Sequence, residues 1–213
     1  MIFPCSCKTN VYNFNNSYWE EKKATTDEIE IVSFLLNYQK KNNIKNILHI
    51  GIGNSYLAKK LRKFKFKIDG ITISKSEYNL AIKEGIKNYK VFLINKYSND
   101  LQIFKKSRKY DLIIDCNLKS YSCCVKSFNF FFNNLNSMLK KNSLILTSRK
   151  GMNWSKFLKR KLSFNFTKLF YYKLKEYNSF EKNILSINLC KILAIKYNLF
   201  LFYNNRIAYF KKK

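Results

Sequence analysis

Gly51 and Gly53 stand one residue apart, behind a short apolar run (Ile47, Leu48, Ile50) and ahead of an amphipathic stretch with Tyr56, Leu57, Ala58 and Leu61. That order reads as strand, tight glycine turn and helix. Such a turn needs glycine because a Cβ would collide where the backbone bends sharply and a ligand lies against it. The N–H groups opening the helix then face that ligand, so the chemistry implied is the holding of a nucleotide-type cofactor at the carboxyl end of a strand. A second apolar run, YDLIID, ends in a carboxylate, Asp115, the candidate polar group at a reacting centre. A carboxylate in that place also serves to end a strand or cap the segment after it.

Other chemistry-bearing residues are few. His49 is the sole histidine. As a base it would sit on the wrong side of the glycine turn, and a hydrogen-bonded structural role is expected for it. Lys119 and Tyr121 follow Asp115 closely enough to touch an acceptor, or else to be solvated loop residues. Tyr18 and Trp19 suit either a lid over the cofactor or docking on a sheet edge. The six cysteines, Cys5, Cys7, Cys116, Cys123, Cys124 and Cys190, lack the paired Cys-x-x-Cys spacing of a zinc site, so no metal is expected. Buried or incidental thiols are expected instead of disulfides.

The elements that must position these residues follow from pattern. Thr25-Thr26-Asp27-Glu28 offers hydroxyl caps followed by acids, and Ile29, Val32, Leu35 and Leu36 give the helix after it an apolar stripe ending at Asn42-Asn43. Strands are expected at 67–73, 91–95, 110–115 and 142–148, and helices at 77–85 (Leu80, Ala81 and Ile82 inward), 128–139 and 180–197. The strand at 110–115 is apolar enough to be buried on both faces. Strands alternating with helices at this spacing define an α/β domain with a doubly wound, mostly parallel sheet. The tail departs from the alternation: 199–203 and 206–210 flank Asn204-Asn205, a tight antiparallel hairpin in which asparagine tolerates positive φ.

The 213 residues suffice for one such domain, and no apolar run approaches the ~20 residues of a membrane span. The opening MIFPCSCKTN has no basic region followed by an apolar stretch, so cytoplasmic residence is the expectation. The formal net charge of +28, from 41 Lys+Arg against 13 Asp+Glu, invites a polyanion reading. Lysine greatly outnumbers arginine, however, and the basic residues run along the whole chain. We therefore read most of this charge as compositional bias toward residues with A- and T-rich codons, with nonspecific nucleic-acid binding expected at low salt.

These elements in this order resemble the core of the class I S-adenosylmethionine-dependent methyltransferases over about residues 44–210. The resemblance implies a seven-stranded Rossmann-like sheet closed by the family's terminal hairpin. It also implies a single domain in which residues 1–43 pack on a core of residues 44–213. LHIGIGNS (48–55) occupies the place of the family's first motif: Gly51 and Gly53 match, His49 replaces the usual acid, and Asn54 and Ser55 stand where a small residue and the last glycine are usual. GITISKSE (70–77) is similar to a segment of the cyclopropane fatty-acid synthase-like branch and puts Thr72 where many members carry the ribose-binding acid. Asn95 falls where an Asp or Asn approaches the adenine amino group, and Asp115, Cys116 and Asn117 line the meeting point of substrate and cofactor. LKKNSLILTS (139–148) resembles the family's Leu-Lys-Pro-Gly-Gly-x-Leu segment.

What this implies is methyl transfer from S-adenosylmethionine to a small-molecule acceptor. His49, Gly51, Gly53, Asn54, Thr72, Asn95 and Asp115 would border the cofactor, and Asp115 would lie at the reacting centre. The (Asp/Asn)-Pro-Pro-(Tyr/Phe) motif of amino-directed nucleic-acid methyltransferases is absent. Two other readings stand beside it: a basic RNA-binding or RNA-modifying protein on the same fold, without activity in one version, and a nicotinamide-dependent oxidoreductase. The missing third glycine and the hairpin tail count against the last.

Overall fold

Helix α1 (Thr26–Gln39) begins where its sequence supplies a cap. Thr25 Oγ1 accepts from the Glu28 amide, and the Glu28 carboxylate accepts from Thr25 N in return, which satisfies two orphan donors at once. In the computed structural model, which describes residues 23–120, 122, 125–151 and 184–213, the chain continues through β1 (Asn46–Ile50), α2 (Tyr56–Leu61), β2 (Lys67–Thr72), α3 (Lys75–Lys83), β3 (Tyr89–Leu93), α4 (Asn99–Lys105) and β4 (Tyr110–Asp115). It closes with α5 (Val125–Met138), β5 (Leu139–Ser148), α6 (Ile187–Lys196), β6 (Leu199–Tyr203) and β7 (Ile207–Lys212). Tyr18, Trp19, Tyr121, Cys5, Cys7, Cys123 and Cys124 lie outside the described residues, as does most of 151–178.

The seven strands form one sheet in the order β3-β2-β1-β4-β5-β7-β6. The first five are parallel, and β7 runs antiparallel to both β5 and β6. Strand order reverses between β1 and β4, which opens a crevice at their carboxyl ends. One face of the sheet packs on α4, α5 and α6 through Phe104, Phe131, Phe132, Leu135 and Leu193. The other packs on α1 and α2 through Ile31, Leu35, Leu57 and Leu61. All of β4 except Asp111 is buried, as its composition requires.

The structure shifts several expected elements. α4 has no counterpart among the expected helices, because only Leu101 and Phe104 of its seven residues are buried and no period can show in so short a piece. α6 begins at Ile187, where Ser186 Oγ accepts from Leu189 N, and Leu185 N is already engaged with Arg149 O. β3 starts at Tyr89 and β5 at Leu139, each earlier than its apolar run. Ile29 and Ile82 face solvent at 51% and 55% exposure, and Ile31 takes the inward place expected of Ile29. At the hairpin, neither Asn204 nor Asn205 has positive φ. Asn204 Oδ1 instead accepts from Arg206 N and Ile207 N, so its side chain builds the turn. No described helix is long and apolar enough to cross a membrane.

Candidate functional site

β1 runs out at Ile50, and the backbone turns through Gly51 (φ 68°) and Gly53 (φ 52°). Gly51 N donates to Ile71 O at 2.9 Å, which fastens the turn to β2. A Cβ on Gly51 would meet nothing within 4 Å. Glycine is needed there for its left-handed backbone, and the space above it is open. Ile52, between the two glycines, is buried against Ala81 and Val91. That packing depends on Gly70 of β2, where a Cβ would fall 2.9 Å from both Ile52 Cγ2 and Tyr89 Cε2. Ser55, in the place of the family's last glycine, takes the left-handed φ of 58° itself, and its hydroxyl lies 3.2 Å from Tyr89 Oη. Asn54 Oδ1 accepts from Tyr56 N and so helps to start α2.

At the end of β2, Thr72 is buried and its hydroxyl donates to Glu77 Oε2 at 2.6 Å while accepting from Ser74 N. Ser74 caps α3 by accepting from Glu77 N. Thr72 therefore delivers a carboxylate, that of Glu77, to the strand end where its own side chain has none. From the sequence alone Glu77 has no role of its own. The Ser74-x-x-Glu77 spacing was the available signal.

At the ends of β3 and β4 the site is tightly tied. Asn95 Oδ1 accepts from Tyr97 N. Asp115 pairs in register with Ile50, beside the glycine turn. Its Oδ2 accepts from Lys96 Nζ at 2.9 Å and its Oδ1 from Asn117 N at 2.8 Å. Lys96 Nζ also donates to Asn117 O, Leu118 O and Ser120 Oγ, and Tyr97 Oη donates to Ser120 O. Burial pulls the Lys96 ammonium below its usual pKa, and Asp115 pulls it back up. Nothing in the sequence marked Lys96, one lysine among many. Lys119, expected near an acceptor, is buried with its ammonium 3.3 Å from Ile184 O.

His49 is buried beside Gly70 and Ile114 in the strand register, and neither ring nitrogen has a partner among the described residues. The expected hydrogen-bonded role is thus not what the structure gives: its register neighbours offer no polar side chain, and desolvation lowers its pKa to about 4. Cys116 and Cys190 are free and buried, and burial raises both thiols above the usual range.

Gly51, Gly53, Thr72, Asn95 and Asp115 thus lie along the carboxyl ends of four adjacent strands. The arrangement fits a nucleotide-type cofactor on two counts. Open space borders the Gly51 backbone, and both side-chain polar atoms of buried Asn117 lack a partner among the described residues.

The strand order, the reversed β7 and the glycine turn at the point where the order switches define the class I S-adenosylmethionine-dependent methyltransferase fold. The chain is similar, at TM-score 0.62 and 12% identity over 97% of its length and 96% of the other, to N-methyltransferase NodS from Bradyrhizobium japonicum WM9 in complex with S-adenosyl-L-homocysteine. A TehB-like SAM-dependent methyltransferase from Corynebacterium glutamicum gives 0.58 at 12% identity, with 93% of each chain covered. The CurJ carbon methyltransferase gives 0.61 at 11%, covering 87% of this chain and 53% of that one. No protein-family model matches the chain, and no curated protein matches it in sequence.

Proposed function

We propose that the protein transfers a methyl group from S-adenosylmethionine to a small-molecule acceptor. The observation that carries this reading is the left-handed Gly51 turn with open space over it, next to Ile50 and its register partner Asp115 where the strand order reverses. In this reading the Gly51–Gly53 turn, with His49 at its base and Asn54 at its rim, borders the methionine part of the donor. Glu77, presented by Thr72, accepts from the ribose hydroxyls, and Asn95 borders the adenine. The bound donor supplies an already activated methyl group on its sulfonium. What remains for the chain is to hold a nucleophile in line and exclude water. Asp115 stands at the reacting edge with one oxygen on Lys96 and the other on Asn117 N, so it contributes by fixing the loop that meets the acceptor.

Calorimetric titration with S-adenosylmethionine and S-adenosylhomocysteine tests the reading, with NAD as control and at two salt concentrations. Salt-insensitive binding of the two sulfur nucleotides, lost in a folded Gly51→Ala variant, is the expected result. NAD binding in their place, or no binding by the folded chain, overturns it.

A further inference from the structure

The opposite end of the sheet carries a second concave feature. A groove of about 420 Å³ is lined by Gln39, Asn43, Lys45, Phe64, Lys65 and Lys67, among others. It lies at the amino ends of β1 and β2, so roughly 15 Å of strand separates it from the glycine turn. Three pieces of chain converge there: the last turn of α1, the loop into β1, and the stretch Arg62-Lys63-Phe64-Lys65-Phe66-Lys67 that leads into β2.

That stretch alternates cation and aromatic, and the structure gives the alternation a use. Phe66 is buried in the core, whereas Phe64 stacks on it with ring centroids 5.5 Å apart and planes 24° from parallel, and stays half-buried at the groove. Lys45, Lys65 and Lys67 are exposed, and no described acid lies within ion-pair distance of them. The acid at this end of the sheet, Asp111, is fully engaged: Oδ2 accepts from Lys45 N and Asn46 N, and Oδ1 accepts from Lys140 Nζ. The groove therefore combines unpaired cations, a ring face and side-chain amides in a volume suited to one small ligand unit.

We propose that this groove holds one nucleotide of a single-stranded nucleic acid, with Lys45, Lys65 and Lys67 on backbone phosphates, Phe64 against the base and Gln39 and Asn43 toward its edge. Positive grooves with an aromatic stacking platform bind single strands in this way. Lysine acts on a phosphate as a point charge, without the forked geometry that base readout uses. The occupant is a polyanion and not a second copy of the chain, because two chains of +28 repel. The inference stands independently of the methyl-transfer reading.

The test is fluorescence anisotropy of a short labelled oligouridylate with the full chain at about 0.15 M salt. Lys65→Glu/Lys67→Glu is compared with Lys191→Glu/Lys196→Glu, an equal charge change at two exposed positions of α6. The groove pair is expected to weaken binding at least tenfold and to flatten its salt dependence, and the α6 pair to change affinity less than about twofold. Phe64→Leu, which keeps an apolar side chain, is expected to cost about tenfold. Thermal melts and S-adenosylhomocysteine titration should be unchanged in all three, which separates this site from the glycine turn. The proposal is overturned by equal losses from both charge pairs or by no binding of the unsubstituted chain at this salt. Uridine monophosphate binding as tightly as the oligomer would overturn it too, as would phosphatidylserine vesicles binding with the same dependence on Lys65 and Lys67.

Discussion

The Lys96 ammonium meets the Asp115 carboxylate at 2.9 Å, with Asp115 2% exposed and Lys96 8%. Two strand ends are joined by this pair, and the same ammonium gathers the carbonyls of Asn117 and Leu118. Removing one partner leaves a buried charge alone, at a cost of about 3–5 kcal/mol. Lys96→Met should therefore destabilise the chain by that order in urea denaturation. Lys96→Met/Asp115→Asn should recover a large part of the loss. Equal losses in the single and double variants would mean that the pairing is not what holds the loop.

Gly70 supports the glycine turn by lying under Ile52, with no room for a Cβ. Gly70→Ala should cost about 1–3 kcal/mol through overpacking. Gly85, with φ 57° and nothing within 4 Å of its Cβ position, is the contrasting case. Its replacement by alanine should cost about 1 kcal/mol through backbone strain alone. Adding Ile52→Ala, which removes the Cγ2 that a Gly70 Cβ would meet, to each separates the causes in a double-mutant cycle: crowding at Gly70 should be relieved in part, while the cost at Gly85 should not move.

Thr72 and Glu77, joined at 2.6 Å, supply the acid that the carboxyl end of β2 itself lacks. Glu77→Gln keeps the shape of the side chain and removes its charge. If this carboxylate accepts from the ribose, S-adenosylhomocysteine affinity should fall about tenfold, since hydrogen bonds to charged groups are the stronger kind. The melting temperature should move by no more than a few degrees. Unchanged affinity in calorimetry would remove Glu77 from the site.

How far the sequence reaches is visible in these residues. The glycine turn, the strand alternation and the reversed tail are legible because each depends on local pattern: apolar runs, glycine spacing, and a turn between two β-rich segments. The capping box of Thr25 and Glu28 is legible for the same reason. What escapes is contact between residues distant along the chain. Gly70 opens the GITISKSE segment, but the reason it must be glycine appears only when Ile52 and Tyr89 are placed on it. Lys96 has no local signature, and its four acceptors lie 19 to 24 residues away. α4 is too short to show a period. The Asn204-Asn205 pattern points to backbone tolerance, whereas the hairpin uses the Asn204 side-chain oxygen.

His49 gives a prediction that follows from its burial alone. Its folded pKa is about 4, against 6.5 for an unburied histidine. Below about pH 6.5 the unfolded chain therefore takes up a proton that the folded chain refuses, and stability falls as pH drops. The loss accumulates down to about pH 4 and then levels, reaching an order of 3 kcal/mol. Asp111 contributes in a different window. Burial raises its pKa, but hydrogen bonds from Lys140, Asn46 and Lys45 outweigh that and hold it below the usual value, so its contribution is lost only under more acidic conditions. His49→Leu should remove the slope between about pH 6.5 and 4 while leaving the steeper acid limb in place. At neutral pH it should be no less stable than the parent, because two unpartnered ring nitrogens leave the core with the imidazole. Urea denaturation of both chains across this range decides the matter. Parallel pH profiles would show that His49 is not the group that titrates.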